Sequence, residues 1–352
     1  MRKSFLFRLQ TRSEIRIRYI GLDVHKNNTT ACIIAANGKP VAMMDVKSAD
    51  SGLQKIVDYM GDQEYCVMME STTYAYRIFR FFSKHDVEAH VVHAASLKMV
   101  TDTDKKTDKK DAESIGRMLR LWKKGDIELS MSYLPTVKEC ELKDLCRLKE
   151  ENSMKIGDES RRIKSHMARN VEEFRGNTDL KIKYVREQIR EDYPKDATLM
   201  YRLDEYERLV IDGNFLKYMV ESQMIGDKNV ELLESIPGIG RQTAVQIMSM
   251  IVDPNRFPNE KKICAYFGMV PRVRDSGGKE NHGKITKNGD RMMRSVMERV
   301  TSSHVRFCDS SVTRYFKAKE KEMGTKKAMV TASRKMLTMI LAILKRGTPF
   351  RS

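Results

Sequence analysis

Four acidic side chains fall where a cation site needs them. Asp23 closes the apolar run "YIGLD" and Glu70 closes "YCVMME", so each carboxylate stands at the end of a segment that reads as a buried strand. "KTDKKDA" adds Asp108 and Asp111 at i and i+3 near a helix start. That spacing puts both on one face, with Cβ atoms about 5–6 Å apart. Hard oxygen ligands gathered in this way suit Mg²⁺ or Mn²⁺, and two such ions about 4 Å apart can clamp a phosphodiester. Each acid also has a plainer reading. Glu70 precedes "STTY", where a helix cap is expected, and Asp108 and Asp111 are first-turn acids of the kind a helix dipole favours. Asp23 is harder to explain by packing, since its strand is otherwise apolar. A sugar-kinase phosphate hairpin is a rival reading for Asp23. Its turn carries His25 and Lys26, however, where such a hairpin uses glycine.

A second set of residues is suited to phosphate. "SIPGIGRQTAVQIM" reads as two short helices joined by a tight turn, similar to a helix-hairpin-helix, which grips a DNA backbone without reading its sequence. Ile236 and Ile239 anchor that turn, Gly238 and Gly240 let a backbone approach, and Arg241 opens the second helix. Downstream, "RVRDSGGKENHGKITKNGD" sets Ser276 before two glycines and among Arg272, Arg274, Lys279, Lys284 and Lys287. A hydroxyl on such a loop can attack a phosphodiester if the phosphate charge is neutralised and its proton is accepted. The same letters also describe an ordinary Asp-Ser-Gly-Gly turn in a basic loop that binds phosphate passively.

The elements that must position these groups follow from patterning. "IRYIGLDV", "TTACIIA" and "KPVAMMDV" are three strands in succession, the last two joined by "NGK". A helix over "SADSGLQKIVDYMG", the strand "YCVMME", a helix over "TYAYRIFRFFSKH", the strand "VEAHVV" and an amphipathic helix over "KKTDKKDAESIGRMLRLWKKG" complete residues 17–125. That order is the order of an α/β RNase H-like domain, a mixed sheet with helices on both faces. Residues 137–225 change to charge-rich helices with two narrow apolar seams. One runs through Ile156, Ile163, Met167 and Phe174, the other through Leu199, Leu203, Tyr206 and Val210. Coiled-coil spacing of this kind points to helix pairing and to self-association. Residues 226–352 form a third, mostly α unit that contains the hairpin and the serine loop. Residues 1–16 read as an appendage.

With 352 residues there is room for two or three cores. The balance of 65 Lys and Arg against 48 Asp and Glu gives a net charge of +17 spread through periodic segments, which points to a polyanionic partner, nucleic acid first. Six scattered cysteines without a CxxC pair argue against a zinc ribbon or a disulfide framework. No apolar run is long enough for a membrane span, so a soluble, cytoplasmic protein is expected.

Taken in order, "GLDVHK", "MEST", "KTDKKDA", "IPGIG", "FGMVPRVRDSGGK" and "HGKITKNGDRMMR" resemble the insertion sequence 110 family of transposases, from about Tyr19 to near Val300. The resemblance implies a RuvC-like DEDD domain in which Asp23, Glu70, Asp108 and Asp111 hold Mg²⁺ or Mn²⁺. It also implies a C-terminal transposase domain in which Ser276 forms a transient phosphoserine with cut DNA. Its implied partners are donor and target DNA, a structured bridge RNA, and further copies of the chain joined by coiled-coil helices as a dimer or tetramer. Two other activities fit the same residues: a RuvC-type endonuclease with water as nucleophile, and a catalytically inactive nucleic-acid-binding relative.

Overall fold

The first strands read as near-continuous apolar runs, which suit a sheet covered on both faces, and the computed structural model, which describes residues 17–93, 107–170, 179–273 and 282–351, has that sheet. Strands β1 (Arg18–Val24), β2 (Asn28–Ile34) and β3 (Pro40–Lys47) form an antiparallel meander. β4 (Tyr65–Glu70) and β5 (Glu88–Val92) add in parallel on the far side of β1, giving the order β3-β2-β1-β4-β5. Ile20, Leu22, Ile33, Val67 and Met69 point to one face. There they pack with Leu53 and Ile56 of α1 (Asp50–Met60) and with Ile78 and Phe82 of α2 (Ala75–Lys84). The intervening residues Tyr19, Cys32, Cys66 and Met68 point to the other face. They meet Ala112, Ile115, Met118 and Leu119 of α3 (Asp108–Lys124). The mixed α/β core read from the sequence is therefore present, with helices on both faces.

The contact that places α3 is unusually close. A Cβ built on Gly21 of β1 would lie 2.0 Å from the Ala112 carbonyl oxygen and 2.2 Å from the Gly116 nitrogen. Only glycine at this crossing lets helix backbone rest on strand backbone, and the first turn of α3 is thereby held over the end of β1. Thr107 caps that turn, its hydroxyl accepting from Lys110 N at 3.4 Å, and left-handed Gly125 closes the helix.

These elements belong to a compact unit spanning residues 1–135, and residues 136–352 form another. In the second unit α4 (Val137–Asn170) lies antiparallel to α6 (Ala197–Ser222), with α5 (Lys183–Asp192) against their distal halves. The two apolar seams read from the sequence face each other within the chain: Ile163 and Met167 pack with Leu199, Leu203 and Tyr206. Phe174 lies outside the described residues. Asn152 keys the pair, its Nδ2 donating to the Leu209 carbonyl at 3.1 Å beside Gly213, where a Cβ would meet the Asn152 side chain at 2.7 Å.

Cys146 and Val220, at the other end of this pair, join the apolar core of the helices that follow. These are α7 (Lys228–Glu234), α8 (Arg241–Ile251), α9 (Glu260–Tyr266), α10 (Arg291–Phe307), α11 (Ser311–Met323) and α12 (Thr325–Arg346). A short antiparallel ribbon, β6 (Pro271–Val273) with β7 (His282–Ile285), separates α9 from α10. Among the described residues, no helix is long and apolar enough to cross a membrane.

Candidate functional site

Asp23 is on the α3-facing side of β1, in step with Tyr19 and Gly21. The parallel register that aligns Leu22 with Met69 sets Glu70 level with Asp23 on the neighbouring strand, on the same face as Cys66 and Met68. Asp108 and Asp111 occupy the first turn of α3, which the Gly21 crossing holds above that strand end. Strand ends and helix start thus form one acidic corner. Within it, ligand atoms of Asp23, His25 and Asp108 all lie within 4.8 Å of one another. His25 Nε2 donates to Asp23 Oδ2 at 3.1 Å and lies 3.7 Å from Asp108 Oδ1.

The electrostatics of this corner are lopsided. Burial pushes the Asp23 carboxyl above its ordinary value; the nearby His25 opposes this, and the charges of Asp108 and Asp111 add to the rise. Among the described residues, the ion pairs of Asp23 and Asp108 are both with His25. A divalent cation relieves like-charge repulsion of this kind, and the oxygen-rich donor set fits one. Asp23 and Asp108 could hold it, whereas Glu70 and Asp111, on the neighbouring strand end and in the same helix turn, are not part of the trio whose ligand atoms come within 4.8 Å of one another.

His25 was hidden in the sequence by its context, because "HKNN" reads as turn letters. The available signal was the two-residue step from Asp23, which keeps both side chains on one face of an extended chain. The turn itself is fixed. His25 N donates to Asn28 O at 3.0 Å, and the Ser48 hydroxyl donates to the His25 carbonyl at 2.8 Å.

The second unit treats its candidate residues differently. Ile236 and Ile239 are buried and anchor the α7–α8 turn. Gly238 has a φ of +96°, and a Cβ there would lie 3.0 Å from His304 N and 3.2 Å from the Ser303 side chain, so its open side is filled by α10. Gly240, at the start of α8, has nothing among the described residues within 4 Å of its Cβ position and supplies no side-chain cap. Open space at the start of α8, whose first N–H groups have no side-chain cap, therefore lies beside Gly240, not Gly238. Arg241 is engaged internally, donating to Glu234 Oε2 at 3.0 Å and to Met224 O at 2.8 Å. His304, wholly buried, donates from Nδ1 to Pro237 O at 2.7 Å and accepts the Ser310 hydroxyl at Nε2, 2.8 Å away.

Arg272 lies on β6 and donates to Thr286 O at 3.4 Å, Lys284 belongs to β7, and Lys287 adopts a left-handed φ of +57°. Arg294 was not singled out in the sequence, yet its Nη1 lies within hydrogen-bonding reach of the Phe267, Asn288, Gly289 and Asp290 carbonyls, at 3.1–3.3 Å. It ties down one end of the basic segment. Ser276, Arg274 and Lys279 lie outside the described residues.

Comparison with known proteins covers both units. Residues 20–170 match the family of IS110 DEDD transposase domains, described simply as transposase. Residues 230–317 match the family described as Transposase IS116/IS110/IS902. The chain is 25% identical to the transposase for insertion sequence element IS1111A of Coxiella burnetii, over 98% of this chain and 94% of that one. It is 24% identical to the pilin gene-inverting protein of Moraxella bovis, over 94% of this chain and 97% of that one. A similar pilin gene-inverting protein from Moraxella lacunata is 32% identical over 34% of this chain and 38% of its own.

Proposed function

The chain belongs to the IS110/IS116 family of transposases, and from that premise we propose that it cuts and rejoins DNA through the acidic corner and Ser276, with a bridge RNA choosing the sites. The observation that carries this reading is the corner itself: a partly buried carboxylate, raised by burial and by neighbouring acids, at a strand end under a helix start. Asp23, Glu70, Asp108 and Asp111 are the ligand set, and Mg²⁺ or Mn²⁺ bound there supplies charge neutralisation at the scissile phosphate. Ser276 Oγ attacks phosphorus. A serine–phosphate bond forms as the strand's P–O bond breaks, and the serine proton ends on the released hydroxyl. A hydroxyl from the strand to be joined then attacks the phosphoserine and returns the proton to Ser276. Each step exchanges one phosphate ester for another, so joining needs no ATP.

In the same reading, residues 17–125 are a RuvC-like, RNase H-like domain and 226–352 carry a helix-hairpin-helix whose N–H groups beyond Gly240 hold a DNA phosphate. The apolar seams of residues 137–225 are taken up by pairing within the chain, so a dimer or tetramer in the cytoplasm assembles instead on the exposed face of α6 that carries Ile211, Phe215 and Tyr218. Two relatives are named for inverting a pilin gene, a rearrangement that needs cutting and rejoining. The basic balance of the chain suits the DNA and RNA partners.

Incubation of the protein with its element's ends, target DNA and flanking RNA tests this reading. Wild type is expected to give protein-linked DNA and a joined product, and Ser276→Ala and Asp23→Asn neither. Cleavage that survives Ser276→Ala points instead to a RuvC-type nuclease with water as nucleophile. Wild-type binding without cleavage points to an inactive nucleic-acid-binding relative.

A further inference from the structure

We infer that His25 is a nitrogen ligand of the acidic corner and sets its metal preference, favouring transition-metal ions such as Mn²⁺ and Co²⁺ over Mg²⁺. This rests on the corner being a metal site, as proposed above. Its Nε2 lies 3.1 Å from Asp23 Oδ2 and 3.7 Å from Asp108 Oδ1, and all three ligand atoms fall within 4.8 Å of one another. Atoms bound to one ion at roughly 2.0–2.2 Å are separated by no more than about 4.4 Å. Small side-chain rotations therefore bring this trio onto a common centre.

The imidazole is also held for the task by its backbone. The β1–β2 turn is closed by His25 N to Asn28 O at 3.0 Å, and Ser48 clasps it from the next connection. Ser48 is itself buried, and its hydroxyl is 2.8 Å from that of Thr29. The ring nevertheless stays half exposed, so it can turn without repacking the core. A purely structural histidine at this position would have little to support, since β1 is already paired with β2 through Val24 and with β4 through Leu22.

The chemical consequence follows from ligand softness. Carboxylates serve Mg²⁺ and Mn²⁺ alike, whereas imidazole adds little for Mg²⁺ and progressively more along the series from Mn²⁺ to Co²⁺. A corner of four acids alone discriminates weakly between these ions. The same corner with His25 discriminates in favour of the ions that accept nitrogen.

Titration of the full-length protein with MgCl₂, MnCl₂ or CoCl₂ in the absence of nucleic acid, for wild type, His25→Ala and Asp23→Asn, decides the matter. His25→Ala is expected to weaken Co²⁺ binding most and Mn²⁺ binding at least about tenfold, leaving Mg²⁺ within about twofold. Pulsed EPR of bound Mn²⁺ is expected to show nitrogen coupling in wild type that disappears in His25→Ala. If Mn²⁺ binding depends on Asp23 but ignores His25→Ala, or if Mg²⁺ and Mn²⁺ weaken equally, the inference falls while the metal corner stands. If saturable binding survives Asp23→Asn, the metal corner falls too.

Discussion

Asp23 and Asp290 are both largely buried carboxylates at element boundaries, and their surroundings answer them in opposite ways. Asp290 caps α10, accepting from Met292 N at 2.8 Å, and pairs with Lys143 at 3.2 Å and Arg147 at 3.1 Å. Burial alone would raise its pKa, but the two cations and the cap outweigh this and hold it below the ordinary value. Asp23 has the same burial problem, yet its charged neighbours include two more acids, and its carboxyl is raised. One acid is satisfied by the fold and serves it. The other is left short of positive charge, which is the condition expected of a residue that waits for a cation.

The glycines make a parallel contrast. Gly21 lets α3 descend on β1, and Gly238 lets α10 press on the hairpin turn, so both are consumed by the protein's own packing. Gly240 alone of the three faces open space.

The largest effect is expected at the Gly21 crossing. Gly21→Ala drives a methyl group into the Ala112 carbonyl, and urea denaturation should report a loss of about 3 kcal/mol together with loss of metal binding. Survival of both properties would mean that the close helix–strand contact does not build the corner. Next comes Gly238→Ala, at about 2 kcal/mol, because a left-handed φ and contact with His304 N act together.

Asp290→Asn keeps a capping oxygen but removes the charge. It should cost about 1 kcal/mol at neutral pH, the modest figure reflecting the partial exposure of Lys143 and Arg147. Because the folded pKa of Asp290 is depressed, its contribution is complete above the unfolded value. It is lost as pH falls through the folded one, so the gap between wild type and Asp290→Asn should close in acid. Asp23→Asn, measured in chelator, should shift stability in the opposite direction by less than about 1 kcal/mol. A drop like that of Asp290→Asn would erase the distinction between the two acids.

The smallest change in stability is expected of Gly240→Asp, a gain of a few tenths of a kcal/mol, since aspartate is a favoured cap at this extended backbone. Its placed charge should still weaken duplex DNA binding in a salt-dependent manner.

What the sequence disclosed depended on how local the cause was. The strands declared themselves because "YIGLDV", "TTACII" and "YCVMME" are short apolar runs between polar stretches, a pattern contained within a few residues. Asp23, Asp108 and Asp111 were legible for the same reason: a strand end and a helix start are local features. The contacts that occupy Gly238 and Arg241 were not legible. Gly238 meets a helix more than sixty positions later, and Arg241 reaches back to Met224. The apolar seams showed that helices pair without naming the partner, because the spacing is identical whether the second helix belongs to the same chain or another.

The asparagine key between α4 and α6 gives the long hairpin a fixed setting. Sliding α6 by one heptad would bring Asn152 opposite Tyr206 or Val220, both buried, instead of the space beside Gly213. Its amide would then lose the Leu209 carbonyl among apolar groups, at the cost of an unmade buried hydrogen bond. α4 has 34 residues and is therefore a rod of roughly 51 Å. With its register locked, the hairpin works as a gauge block: its distal end, where α5 packs, stands at a set distance from the helical core at its base.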